Sequence, residues 1–384
     1  MKKIGLVGAG TMGQGIILTA ALSACDVFVY DAFENNLLNA KNYIQKFLEK
    51  EITKQKLTEA EVNVIHSKIH FVKSINELYS CELVIEAIIE DLKIKQDLFK
   101  QLSSIVSDTC ILASNTSSLS ITSLASAVSN PERFIGVHFF NPAHLMKLVE
   151  VIPAIKTSAS TTEAIVNLLK GCNKLPVIAK DTPGFIVNRI ARPYYGEALR
   201  ILEEGIASTQ DIDWSMTQQG FKMGPFVLMD FIGHDINYSV TEIVYSAFYN
   251  DPRYRPSFTQ KRLVEAAYLG IKSGRGFYDY SVNAVKPMHS IDSQTAKKIS
   301  DRILIMLINE AADALYYQVA TKEDIEISMT KGVNYPKGLL TWANEIGIAE
   351  CVIQMDELFS KYHDPRYRCS FLLRTMAANN QTFI

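Results

Sequence analysis

The chain nowhere runs to the ~18 consecutive apolar residues that a membrane-spanning helix needs, so no spanning segment is expected. An excess of one charge is missing too. There are 39 Lys and Arg against 41 Asp and Glu, a formal net charge of −2, with no long block of either sign. A nucleic-acid partner needs a basic footprint for the phosphates, and none is present. A small anion held by a local patch stays compatible with this balance. Cysteine is sparse and scattered. Cys25, Cys81, Cys110, Cys172, Cys351 and Cys369 include no C-x-x-C pair, so neither a disulfide framework nor a zinc site is expected. Six thiols in mostly apolar surroundings read as reduced core residues, which points to a reducing compartment, the cytoplasm. His66 and His70 are four apart, a spacing that would set both on one helix face, but no third ligand lies near. Two surface or half-buried histidines are the expectation. With 48% hydrophobic and 21% charged residues over 384 positions, the composition is globular and the length suits two or three domains.

Two readings compete at the N-terminus. Lys2 and Lys3 precede an apolar stretch ending in Leu22-Ser23-Ala24-Cys25, the outline of a lipoprotein leader. Yet the same stretch holds Gly5, Gly8, Gly10, Gly13 and Gly15, with Thr11 and Gln14, which weaken a leader helix. The glycine spacing has another use. Gly8-Ala9-Gly10-Thr11-Met12-Gly13 follows an apolar run, Ile4–Val7, and opens a helical pattern. The first glycine allows a tight turn, the second lets a pyrophosphate approach the backbone, and the third allows helix and strand to pack closely. The helix N-terminus favours the negative charge. Asp31 ends the next strand, 23 residues after Gly8. A carboxylate there accepts hydrogen bonds from ribose hydroxyls and repels a 2′-phosphate, which favours NAD over NADP. A tight turn and a capped strand end would account for each feature alone, and the glycine motif by itself also fits FAD. Strand, fingerprint and acid together favour NAD.

Short β-rich runs recur at Ile4–Val7, Val27–Tyr30, Leu83–Ile85, Ile111–Ala113, Ile135–Phe140, Leu148–Ile152 and Val177–Ala179, with helical patterns between several of them. One polar, lysine-rich helical stretch, Asn35–Glu61, interrupts the scheme. After Asp181-Thr182-Pro183-Gly184 the pattern becomes helical throughout. Arg189, Glu197, Asp211, Met216 and Asp251 recur as Arg302, Glu310, Asp324, Met329 and Asp364, each 113 residues later, and Asp-Pro-Arg-Tyr-Arg occurs at 251–255 and 364–368. The expected fold is an α/β Rossmann-type doubly wound domain, residues 1–184, followed by two tandem all-α domains, 185–282 and 296–384. Residues 281–295, with Pro287, read as the linker.

Beyond the glycines, five stretches resemble the L-3-hydroxyacyl-CoA dehydrogenase family. They are Ser114-Asn115-Thr116-Ser117-Ser118, His138-Phe139-Phe140-Asn141-Pro142, Met146-Lys147-Leu148-Val149-Glu150, Asp181 through Arg189, and Gly274-Arg275-Gly276-Phe277-Tyr278. The resemblance runs from residue 2 to about 280, and the repeat looks like a second C-terminal domain of the family. It implies NAD-dependent oxidation of an L-3-hydroxyacyl-CoA to the 3-oxo thioester. His138 would be the base that takes the hydroxyl proton, a role suited to imidazole with its unperturbed pKa near ~6.5. Glu150 would fix its tautomer, while Ser117 and Asn188 would hold the reacting oxygen. Glu90, Lys95, Asn141 and Lys272 are implied as cofactor contacts, beside Gly8, Gly10, Thr11, Met12, Gly13 and Asp31. The lysine-rich stretch is implied to help bind coenzyme A, with Lys54 and Lys56 as candidates for its phosphates. The turn Phe221-Lys222-Met223-Gly224-Pro225 departs from the family pattern, and the segment from Met223 to His234 is expected near the acyl pocket. Asp301 stands where the repeat would carry Asn188, so the second copy is expected to be structural.

Plainer roles exist for single residues: a core histidine at 138, a helix cap at Ser117, a locally bonded amide at Asn188. Their joint occurrence in ordered motifs outweighs these. Two other functions remain as alternatives, a related dehydrogenase of a free hydroxy or sugar acid, and a non-catalytic cofactor-binding protein. The duplicated helical region is expected to form an internal pseudo-dimer, leaving the chain a monomer. A homodimer through another face is the alternative.

Overall fold

A computed structural model describes residues 1–284 and 288–383, so Pro287 of the expected linker lies outside the described residues. The chain divides into two compact units, Met1–Phe185 and Ile186–Ile384. The two helical stretches expected as separate domains thus lie together in the second.

In the first unit, the described residues form one eight-stranded sheet in the order β3-β2-β1-β4-β5-β6-β7-β8. The strands are β1 (Lys3–Val7), β2 (Asp26–Tyr30), β3 (Ile69–Phe71), β4 (Leu83–Glu86), β5 (Ile111–Ser114), β6 (Phe134–Phe139), β7 (Leu148–Pro153) and β8 (Leu175–Ile178). Strands β1 to β6 are parallel, β7 runs antiparallel to β6, and β8 runs parallel to β7. The helices are α1 (Thr11–Leu22), α2 (Glu34–Thr53), α3 (Glu59–Ser67), α4 (Leu92–Ser103), α5 (Ile121–Ala125) and α6 (Ala159–Gly171). Strands β4 and β5 are buried at every residue, which is why they read as unbroken apolar runs. Ile16, Ile17 and Leu18 of α1 pack into the same core as Val27, Val29, Ile85 and Val137. Strand order reverses direction between β1 and β4, the switch point at which open sheets of this kind bind ligands beyond the strand ends.

Two sequence expectations change here. Strand β3 was not anticipated, because it is only three residues long and none is fully buried. It carries His70, whereas His66 is on α3, so the two histidines do not share a helix face. His70 stacks on Phe28 at 4.8 Å and lies 3.6 Å from Asp26. The single helix expected over Asn35–Glu61 is two. Helix α2 stops at Thr53, Gln55 takes a left-handed conformation, and a Thr58–Glu61 capping box starts α3.

The second unit is built from α7 (Val187–Ile190), α8 (Arg192–Glu203), α9 (Thr209–Gln218), α10 (Pro225–Ile232), α11 (His234–Ala247), α12 (Phe258–Glu265), α13 (Ser293–Tyr316), α14 (Lys322–Ile327), α15 (Leu339–Ile346), α16 (Ile348–Tyr362) and α17 (Phe371–Ala378). Its repeat is paired crosswise. Arg189 of the first copy bonds Glu310 of the second at 2.7 Å, and Arg302 of the second bonds Glu197 of the first at 2.7 Å. Tyr254 reaches Glu310 and Tyr367 reaches Glu197, both at 2.6 Å. This reciprocity is the signature of a two-fold interface.

The repeat interval itself slips. Asp213 accepts the backbone N–H of Phe226 and Val227, and Glu326, 113 residues on, accepts those of Leu340 and Thr341, which are 114 residues on. A π-helical turn at Ser328–Gly332 inserts the extra residue. The interval recovers before Asp364. Two left-handed residues, Tyr249 and Asn250, precede Asp251, but only His363 precedes Asp364. The second copy also closes on its own tail. Asp230 accepts the N–H of Phe277 and Tyr278, while its counterpart Asn344 both accepts from and donates to the backbone of Phe383.

Burial opposes ionisation of Glu310, but Arg189, Arg253 and the Tyr254 hydroxyl outweigh it and hold the carboxyl down at about 2. A carboxyl lower in the folded chain than its ordinary ~4.3 adds stability that is complete above that value. The addition, on the order of 3 kcal/mol, is lost as pH falls through the folded value. Glu310→Gln is therefore expected to lower the urea midpoint at neutral pH. The gap from wild type should narrow as pH is lowered from about 5 to about 2.5. A gap that stays constant across that window would assign the acid sensitivity to other groups.

Candidate active site

The glycine turn sits at the carboxyl end of β1. Gly8 has φ +105°, and a Cβ there would lie 2.5 Å from the Ala87 carbonyl oxygen. A Cβ on Gly13 would lie 2.0 Å from the Gly8 carbonyl oxygen. These two glycines are demanded by the protein's own backbone. Gly10 is different: nothing lies within 4 Å of where its Cβ would be, so its absence leaves open space. Gly10 is also the N-cap of α1, with no side chain capping that end and no acid in the first turn, where Thr11, Met12 and Gly13 begin the helix. The result is a cradle of N–H groups with room for an anion. Asp31 follows β2 and accepts the Ala9 N–H at 2.7 Å, the Phe33 N–H at 2.9 Å and the Asn36 amide. These bonds fix the carboxylate beside the glycine turn. The residues present fit a dinucleotide.

His138 and Glu150 are direct partners across the antiparallel pair β6/β7. Directly opposed residues share a sheet face with neighbouring side chains, and His138 Nδ1 meets the Glu150 carboxylate at 2.7 Å. Glu150 is wholly buried and His138 is 6% exposed. Glu150 accepts only, so Nδ1 carries the proton of the neutral ring and Nε2 is left as the basic atom. Phe140 and Phe185 flank the imidazole, with ring centroids 4.5 and 6.1 Å away. Asn115 accepts the Phe139 N–H at 2.9 Å, tying the residue after His138 to the end of β5.

Ser117 lies in the turn after β5, and β5 neighbours β6. One carboxylate shapes that turn. Glu90 accepts the Thr116 hydroxyl at 2.5 Å, the Ser117 N–H at 3.0 Å and the Ser118 hydroxyl at 3.0 Å. Burial raises the Glu90 carboxyl, but Lys95 and these hydroxyls outweigh it and the net shift is downward. Lys95 itself is 1% exposed and is enclosed by Glu86, the Ile88 carbonyl and Glu90, the last at 3.3 Å. Its ammonium thus points inward, to the protein. Glu86, which the sequence reading missed, is the hub of this group and also accepts the Ser114 hydroxyl at 2.7 Å. Its signal was an acid closing an apolar strand. Asp181 was quoted only as part of a motif, yet it caps α5 by accepting the N–H of Ile121 and Thr122.

The remaining candidates lie on other elements. Asn141 is exposed in the loop after β6, at a cis bond to Pro142. Lys54 and Lys56 sit in the turn after α2, at 3.1 and 3.6 Å from the shared Glu51. The Lys54 hydrogen bond, with both ammonium charges, holds the Glu51 carboxyl below its ordinary range. Asn188 and Lys272 belong to the helical unit. Asn188 is on α7, where its carbonyl accepts from Arg192 at 3.0 Å, and Lys272 pairs with Asp235 at 2.6 Å. The segment expected near the acyl pocket ends at His234. That side chain is fully buried, held between Asp230 at 2.7 Å and Gln260 at 3.4 Å, so it faces the helical core.

Comparison with known proteins points one way. The family described as "3-hydroxyacyl-CoA dehydrogenase, NAD binding domain" matches residues 3–182. The one described as "3-hydroxyacyl-CoA dehydrogenase, C-terminal domain" matches twice, at 184–280 and 299–382. A 3-hydroxyadipyl-CoA dehydrogenase of Escherichia coli (strain K12) is 34% identical over 98% of this chain and 98% of its own. A probable 3-hydroxybutyryl-CoA dehydrogenase of Deinococcus radiodurans is 44% identical over 72% of this chain and 100% of its own. The crystal structure of a 3-hydroxybutyryl-CoA dehydrogenase from Escherichia coli K12 superposes with a TM-score of 0.92, at 34% identity, covering 98% of each chain.

The glycines separate two constraints that one motif combines. Gly13→Ala is expected to lower the melting temperature, because its methyl meets backbone. Gly10→Ala should melt within a degree or so of wild type yet weaken NAD binding roughly tenfold, because its methyl occupies the ligand's space. Calorimetry with and without NAD tests both, and unchanged NAD affinity in Gly10→Ala would remove Gly10 from the cradle.

Proposed function

The chain belongs to the 3-hydroxyacyl-CoA dehydrogenase family, and from that premise we propose that it oxidises an L-3-hydroxyacyl-CoA thioester, reversibly, with His138 as base. The observation that carries this is the buried His138–Glu150 pair on the same strand-end side of the sheet as the Gly8 to Gly13 cradle. NAD, when bound, supplies the hydride acceptor. His138 Nε2 takes the proton of the hydroxyl group, and the charge that appears on the ring is met by the Glu150 carboxylate across the strand pair. Phe140 and Phe185 keep water from the imidazole on two sides, which strengthens that interaction.

Glu90 and Lys95 act through the turn they hold: Glu90 orients the Ser117 backbone, and Lys95 neutralises Glu90. Family motifs are the support for assigning Ser117 and Asn188 to the reacting oxygen. They are also the support for Asn141 and Lys272 as cofactor contacts, and for Lys54 and Lys56 as partners of coenzyme A phosphates. Among the described residues no helix is long and apolar enough to cross a membrane, and a cytoplasmic setting suits the free thiols and the cofactor. We read the crosswise pairing in the helical unit as an internal pseudo-dimer. A tethered partner has a high effective concentration and outcompetes a second chain.

A panel of short-chain, long-chain and dicarboxylyl hydroxyacyl-CoA thioesters, with the free hydroxy acids as a control, tests the substrate class by NADH absorbance. Turnover of the free acids alone would overturn it. His138→Gln is expected to lower kcat by ~10²–10⁴-fold with NAD binding nearly intact; a variant within about threefold of wild type would remove His138 from the reaction. Light scattering near neutral pH is expected to give a mass near 43.0 kDa, and twice that value would overturn the monomer in favour of a homodimer through another face.

A further inference from the structure

Two of the six cysteines meet far from the nucleotide cradle. Cys25 lies between α1 and β2, and Cys172 is the C-cap of α6. They are 147 residues apart in sequence, yet the fold sets them on one cleft, where the Cys25 thiol donates to the Ser23 carbonyl at 3.9 Å. Both line an open cleft of roughly 500 Å³ together with Met1, Ser23, Leu168 and Gly171. Cys25 is 6% exposed, whereas Cys172 is half-buried at the cleft wall. We propose that this is a peroxide-reactive site, with Cys172 as the attacking thiolate and Cys25 as the thiol that resolves it into a disulfide.

The chemistry closes with hydrogen peroxide as oxidant. The Cys172 thiolate attacks one peroxide oxygen, the O–O bond breaks, and the departing hydroxide takes a proton to become water. The Cys172 sulfenic acid that forms is then attacked by the Cys25 sulfur. An S–S bond forms, the S–O bond breaks, and a second water leaves. Two thiols lose two electrons and two protons, and one peroxide becomes two waters.

Reactivity follows thiolate character and access. The neighbouring Cys25 thiol is the largest influence on Cys172. With the Ser23 hydroxyl and the Lys174 ammonium, and against burial, it pulls that thiol below its ordinary range. Cys25 moves the other way. The remaining four are pushed up by burial, Cys81 and Cys369 to about 11 and Cys110 and Cys351 to about 12. They are the inert set. Cys25 precedes β2 and Asp31 follows it, so the pair and the cradle flank opposite ends of that strand, about 20 Å apart by strand rise.

The full-length chain treated with hydrogen peroxide and digested without reductant should yield a peptide joining Cys25 to Cys172, lighter by two hydrogens than the two thiol peptides. In Cys25→Ala, dimedone should trap a sulfenic acid on Cys172, and in Cys172→Ser neither product should form. Before oxidation, an aromatic disulfide reagent should modify Cys172 at least ~tenfold faster than the similarly half-buried Cys369. Cys172→Ser should keep wild-type turnover. Wild-type protein that keeps both thiols free while Cys369 oxidises at least as fast would overturn the proposal, and a dimedone adduct on Cys25 in Cys172→Ser would overturn the division of roles.

Discussion

A carboxylate cut off from water has to be given its partners by the fold, because an unpaired buried charge costs several kcal/mol. Among the described residues five carboxylates have no exposure: Glu86, Glu150, Glu197, Asp230 and Glu310. Each is held against a basic side chain, respectively Lys95, His138, Arg302, His234 and Arg189. Four of these pairs serve architecture. At Glu150 the partner is an imidazole that offers its second nitrogen to the proposed reaction. The strand reversal at β7 makes that pair. Had β7 run parallel to β6, the slanted ladder would not have set the two side chains directly opposite.

The site therefore depends on three levels of support. The parallel sheet brings the glycine turn, the Ser117 turn and His138 to strand ends on one edge. The antiparallel addition supplies Glu150. Beneath the Ser117 turn, Glu86 and Lys95 fix Glu90, which in turn fixes three successive residues.

Much of this was legible in the residues. The glycine spacing with Asp31, the fully buried strands and the 113-residue repeat all announce themselves through periodicity or exact spacing. What escaped was short or relational. Strand β3 has three half-buried residues and no apolar run. The break at Thr53 was encoded in Thr58 and Glu61, a capping signal overridden by the surrounding helical composition. Lys95 reads from its motif as a cofactor contact, but only the tertiary structure reveals that its ammonium is enclosed by two glutamates. That His234 is buried against Asp230, four residues earlier, is likewise seen only in the fold. Arg189 with Glu310 and Arg302 with Glu197 appeared as recurring letters. That each arginine reaches the other copy's glutamate is a property of the fold.

The slip of the repeat from 113 to 114 and back has a consequence for how this interface can change. When two identical chains meet on a two-fold axis, every substitution is made on both sides at once, so asymmetry cannot arise. In a tandem arrangement each side is written separately. The second copy carries one residue more at its π-helical turn, one fewer before Asp364, and an amide, Asn344, where the first has a carboxylate. The first copy kept the glycine-rich loop on Asp230. Freed from mirrored inheritance, each half can change without the other changing with it.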